Sequence, residues 1–183
     1  MFILYAIVAG IAAGYLLGGR FERLGSMPFR FGPIVLLALA VQALIFGPVD
    51  TVVGAAGPPL YLGSTLAALV VVTLNARIPG LALVVGGTAS NLAAILANGG
   101  VMPADPAALA LAGLDDRPGF SNSAVIADPA LRPLTDVFAI PASIPLANVF
   151  SVGDVLIAVG VAIAIAWGMR RPGGAVRAGT SYD

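Results

Sequence analysis

Asp154 stands at the mouth of an apolar run, in the stretch FSVGDVLIAVG from Phe150 to Gly160, with no other acid within ten residues on either side. A carboxylate drawn into hydrocarbon is costly, so it must reach water, find a partner or hold a proton. As a helix start it would meet the helix dipole favourably. As a site residue it needs polar company, and GGTASNLAAILANGG, Gly86 to Gly100, supplies Asn91 and Asn98 seven residues apart on one helix face. The chain contains no His, Cys or Lys. That excludes imidazole bases, Ser-His-Asp triads, Ser–Lys pairs, thiolate nucleophiles and His- or Cys-ligated metals. Proton chemistry is left to carboxylates, Arg, Tyr and water, and no metal or cofactor is expected.

The elements that position these groups follow from composition. Of 183 residues, 59% are hydrophobic and 10% charged, with mean hydropathy +1.00. A soluble domain carries about 25% charged residues, so most of this surface must face lipid. Nine Arg balance nine acids, which points to no nucleic-acid partner. Five apolar runs are long enough, or nearly so, for the roughly 20 residues that a span requires: Met1–Gly19, Phe31–Gly47, Leu60–Leu74, Ile78–Ala97 and Val152–Met169. The expected fold is an all-α membrane protein, one domain over residues 1–169 with five transmembrane helices. An irregular external loop cap covers 99–149, and 170–183 form a cytoplasmic tail.

Charge sets the expected orientation. Arg20, Arg23 and Arg30 follow the first run, Arg77 lies between the third and fourth, and Arg170, Arg171 and Arg177 follow the fifth. With these segments cytoplasmic, seven of nine Arg lie inside, as the positive-inside rule requires. The N-terminus is then outside an inner, cytoplasmic membrane and the C-terminus inside. The first run is no signal peptide, because its basic residues follow it. Within the cap, PAALALAGL, Pro106 to Leu114, is too short to span and reads as an interfacial or re-entrant helix. PASIPLANV, Pro141 to Val149, reads as extended or turn-rich because Pro restricts itself and its predecessor.

Gly10, Gly14 and Gly18 fall at spacing four, which lets helices approach closely, within the chain or between copies. Gln42, midway along the second run, reads as a hydrogen-bonding link between helices. The fourth run ends outside where the fifth begins. Asn91, Asn98 and Asp154 can therefore meet near the outer surface as a ligand-binding cluster or as a clamp between two helices.

Those two stretches together resemble the lipoprotein (type II) signal peptidase family. In that family one helix ends in Gly-Gly-Ala-x-Gly-Asn-Leu-x-Asp-Arg, and the last helix opens with Phe-Asn-x-Ala-Asp. Here Gly86 and Gly87 match the glycine pair, Asn91 and Leu92 match Asn-Leu, and Ala94 falls at the first catalytic Asp with Ile95 at the Arg. Phe150 matches Phe, Ser151 the Asn, Gly153 the Ala and Asp154 the second catalytic Asp. The resemblance implies a scaffold of that kind with half of its aspartate pair replaced by Ala94. A resemblance over nearly the whole chain, carried by NGGVMP (Asn98–Pro103), Asp136 in LTD and FSVGD, is to a bacterial membrane family of unknown function.

The reading that follows is a non-catalytic site. It would bind a membrane lipid, a lipidated peptide or a partner helix at Asn91, Asn98 and Asp154. The alternative is an aspartate-type membrane hydrolase in which Asp136, or failing that Asp105, supplies the second acid. A small-solute transporter fits less well, since only Asp154 is near a helix interior. Single cysteines placed at Ser26, Ser121 and Ser181 test the orientation. In intact cells an impermeant thiol reagent should label only the Ser121 variant, and labelling of either of the others overturns the assignment.

Overall fold

A computed structural model describes residues 2–45, 50–114 and 123–171. Gly47, Asp115, Asp116, Arg117, Ser121 and the tail beyond Arg171 lie outside them. The fold is mostly helical: α1 (Ile3–Leu16), α2 (Gly32–Ile45), α3 (Asp50–Val53), α4 (Gly57–Leu74), α5 (Leu81–Ala97), α6 (Pro106–Ala112) and α7 (Val152–Arg170). Two helical stretches, Gly54–Leu74 and Val152–Arg170, are long and apolar enough to cross a membrane. The apolar helices α1, α2 and α5 are shorter, at 14, 14 and 17 residues. A 14-residue helix rises only about 21 Å, so five spans of full length are not what the chain builds. The reason is local. Gly18, at φ 76°, ends α1 in a left-handed turn, with the Gly19 N–H donating to the Gly14 carbonyl at 2.8 Å. In contrast, α4 starts three residues before the apolar run, because Pro58 and Pro59 fit the first turn of a helix.

The large helices lie in the packing order α1, α7, α5, α4, α2, so that α7 is flanked by α1 and α5. Small residues set the closest contacts. A Cβ on Gly10 would sit 2.9 Å from the Ala162 Cα, and one on Gly14 would strike Met169. Both glycines thus face α7 of the same chain, whereas Gly18 serves as the helix stop and faces open space. Gln42 donates to Ser64 and Thr65, each at 3.2 Å, and so links α2 to α4. Ile78, Leu81, Val84 and Ala164 form the apolar centre between α5 and α7. Facing outward, Val8, Leu16, Leu36, Leu37 and Val70 are largely exposed. Apolar exposure on that scale marks a surface built to be covered.

The cap is more regular than its sequence suggests. β1 (Met102–Pro103) pairs in parallel with β2 (Ser123–Ala124), and β3 (Phe138–Ile140) pairs antiparallel with β4 (Asn148–Phe150). The expectation of an irregular loop is corrected by these two small sheets. Strands of two or three residues are too short to show an alternating pattern. The Pro-rich stretch is the hairpin between β3 and β4, so its extended, turn-rich reading describes what is found. The short apolar segment is α6, capped at its start by Asp105 and at its end by Gly113 in the left-handed conformation. Its Ala108 and Ala112 pack with Val149 and Ala139, fixing it over the hairpin.

Replacing Gly10 with Ala should destabilise the fold by about 1–3 kcal/mol, because the added methyl meets backbone that cannot swing away. Gly63→Ala, in a helix with nothing within 4 Å of the new Cβ, should not lower stability. Thermal unfolding of both variants in detergent tests the contrast. Equal melting temperatures would mean that α1 does not pack on α7 in this way.

Candidate functional site

At its N-terminus α7 is closed by a capping box. The Ser151 Oγ accepts from the Asp154 N–H at 3.1 Å, and the Asp154 Oδ2 accepts from the Ser151 N–H at 2.9 Å. The Ser-x-x-Asp spacing carries this arrangement, which uses two backbone donors that a helix start leaves unpaired. Asp154 is therefore a helix start, one of the two roles its position suggested. It is also more than that. The Asn91 Nδ2 donates to the Asp154 Oδ1 at 2.9 Å, and the Ser151 hydroxyl donates to the Asn91 Oδ1 at 2.7 Å. The three side chains close a ring across two helices, and Ser151 is fully buried within it.

That ring is permitted by glycine. A Cβ on Gly153 would overlap the Asn91 amide, and one on Gly87 would strike the Gly153 carbonyl. No side chain fits at either position while α5 and α7 stay this close.

The ring forms part of the wall of a polar cavity of about 240 Å³ at the cap end of the bundle. Asn91 and Ile95 come from α5, Asp154 from α7 and Tyr61 from α4, with Phe2 and Ile3 at the head of α1. The cap adds Asp136, Ser123 and Asn148. Asp136, only 5% exposed, is held by backbone on both sides. Its N–H donates to the Pro103 carbonyl at 2.9 Å, and its own carbonyl accepts from the Asp105 N–H at 3.0 Å. Its carboxylate accepts from the Ser123 hydroxyl at 2.9 Å. Burial and then the charge of Asp154 raise its pKa from 3.8 to about 7, against a smaller lowering by Ser123. A buried acid beside another acid keeps its proton for this reason.

Of the residues singled out in the sequence, Asn91, Asp154 and Asp136 meet at one cavity. Asn98 does not line it. Its amide donates to the Ala94 carbonyl at 2.7 Å and the Ala130 carbonyl at 2.9 Å, and accepts from the Ala130 N–H at 2.9 Å. Asn98 thereby latches the cap to the end of α5. Asp105 caps α6 and pairs with Arg132 at 3.5 Å, away from the cavity. Ala94 has no exposed surface and packs with Ile95 and Met102, and the neighbour that reaches the cavity is Ile95. Ser123, Tyr61 and Asn148 carry no signal in the sequence. Ser151 carried one, its spacing from Asp154. Among the described residues no cluster of three or more acids suits a metal ion.

Asp136 gives the fold a pH dependence. The folded state holds a proton that the unfolded chain releases near pH 3.8, so this contribution is complete below that value. It is lost as pH rises through about 7. The wild type should lose thermal stability between pH 5 and pH 8, and Asp136→Asn should flatten that slope. Parallel pH profiles for the two proteins would show that Asp136 is not buried in its acid form.

A search of curated proteins and a search of solved structures each return no match. A match to the family of unknown function DUF5317 runs from residue 26 to residue 166, taking in Asn91, Asp136, Ser151 and Asp154, and the chain belongs to that family.

Proposed function

We propose that this protein is an integral membrane hydrolase of the aspartate type, using Asp154 with Asp136 at the outer boundary of the bilayer. One observation carries the proposal: both carboxyl groups face a single polar cavity, and burial and the neighbouring charge keep a proton on Asp136 up to about pH 7. Two carboxyl groups lining one cavity, one of them kept protonated by its surroundings, are what hydrolysis by two carboxylates needs. The sequence alone favoured a binding site because Ala94 removes one acid. The cap supplies another.

In the reaction, Asp154 takes a proton from a water molecule as the water oxygen attacks the scissile carbonyl carbon. Asp136 gives its proton to the carbonyl oxygen. The tetrahedral intermediate collapses as that hydroxyl returns its proton to Asp136, and the leaving nitrogen takes the proton held by Asp154. Atoms balance and both carboxyls return to their starting states. Asn91 and the Ser151 N–H hold the Asp154 carboxylate in place throughout. Five crossings with the N-terminus outside place the cavity at the outer surface. The Arg distribution supports that placement, and the shorter helices α1, α2 and α5 are accommodated by thinning of the bilayer around them.

A second reading keeps the same site without turnover, holding a membrane lipid, a lipidated peptide or a partner helix. It is favoured by the two donors already committed to Asp154 and by its part in the capping box. Purified protein in mixed micelles with an acyl-anchored peptide separates the two. The hydrolase should cleave it, with a rate that falls above about pH 7 and drops at least hundredfold in Asp136→Asn and Asp154→Asn. An intact peptide that stays bound to the wild type and is released by Asp154→Asn would establish the binding reading instead.

A further inference from the structure

At the opposite end of α7 a second cavity has a different character. It measures about 410 Å³ and is a groove floored by Ala162, Ile163, Ala166 and Trp167, walled by Ala13 of α1 and Leu17 just past its end, and closed at one side by Pro79. Along α7 it runs about 12 Å from Ala162 to Arg170. Its one charged lining residue is Arg170, at the lip.

The charge around that lip is unbalanced. The Arg171 guanidinium stacks over the Trp167 ring at 4.8 Å. The Arg20 N–H donates to the Met169 carbonyl at 2.8 Å, which brings a third Arg to the end of α7. Glu22 is paired with Arg20 at 3.8 Å, and among the described residues neither Arg170 nor Arg171 has an ion-pair partner. An apolar trough ending under two unpaired guanidinium groups and an indole has the polarity of one phospholipid: acyl chain below, anionic head group above. Guanidinium forks match phosphate oxygens two at a time, and indole rings favour the head-group level of a bilayer.

We infer that the α1–α7 groove is a binding site for a single anionic phospholipid, with its phosphate held by Arg170 and Arg171 and one acyl chain lying on Ala162, Ala166 and Trp167. The site rests on the membrane placement above and is independent of the carboxylate pair. It lies at the far end of α7 from Asp154, so the lipid it holds is a resident of the other leaflet.

The test uses the full chain, delipidated in neutral detergent, with phosphatidylglycerol and phosphatidylcholine as probes. Native mass spectrometry should show one retained phosphatidylglycerol, and the melting temperature should rise with that lipid and not with phosphatidylcholine. The double variant Arg170→Gln, Arg171→Gln should bind phosphatidylglycerol roughly ten- to thirtyfold more weakly, as two lost contacts with an anionic head group imply. Leu17→Trp should block the groove while leaving both Arg residues in place. Leu17 is more than half exposed, so the larger ring is accommodated without disturbing the core. Retention of the lipid by both variants, or equal stabilisation by the two lipids, overturns the site. A protein that inserts into bilayers yet fails this assay loses the lipid site alone. One that does not insert loses the membrane placement with it.

Discussion

The close approach of α5 and α7 at Gly87 and Gly153 is the constraint on which the rest of the molecule turns. Two helices carrying ordinary side chains there would stand further apart, and Asn91 could not reach Asp154 and Ser151 together. The closed ring matters because a partly buried carboxylate is tolerated only when its oxygens are satisfied. Charge-assisted hydrogen bonds of this kind contribute about 1.5–3 kcal/mol each. Their larger effect is to avoid the penalty of an unpaired charge. The capping box and the interhelical amide thus serve stability and site geometry with the same atoms.

The two carboxyl groups differ because their supports differ. Asp154 is fixed by a helix start and an amide donor, which suit a negative charge. Asp136 sits in the cap just before β3, bridged to Ala104 and buried, with one hydroxyl donor and the charge of Asp154 nearby, so its neutral form is favoured. The donors that hold Asp154 are complete without Asp136. The meeting of the two carboxyl groups in one cavity is a product of how the cap folds back. Backbone pairing of Asp136 with Pro103 and Asp105 ties it to the segment that leaves α5 after Ala97.

The cap is held from several sides. Asn98 pins the Ala130 backbone to the end of α5, and α6 packs on the hairpin. Phe150 stacks on Phe2 at 4.5 Å and on Phe138 at 5.5 Å, and the Tyr5 hydroxyl donates to the Pro145 carbonyl. The head of α1 therefore meets both the hairpin that follows Asp136 and the cavity wall. The N-terminal helix is thereby made part of the site rather than an accessory to it.

The sequence by itself determined the apolar character of the chain, the five apolar helices near their observed positions, the helix-start role of Asp154 and its pairing with Asn91. Each of these is written in local periodicity or short spacing: Ser151 three residues before Asp154, Gly153 beside it, apolar runs bounded by Arg and Pro. The length of α1 is shorter than its apolar run because the left-handed turn at Gly18 ends the helix at Leu16, before the run itself ends at Gly19. Asn98 shares a face with Asn91, yet its amide turns to the Ala130 backbone, a partner thirty-two residues away that no spacing announces. Only the tertiary structure decided which acid joins Asp154. Asp136 and Asp105 were both eligible by distance along the chain, and the pairing of short cap strands together with the backbone bridge of Asp136 to Ala104 chose between them. Those strands are held by backbone hydrogen bonds, which any residue but proline can donate, so the sequence carries almost no mark of them.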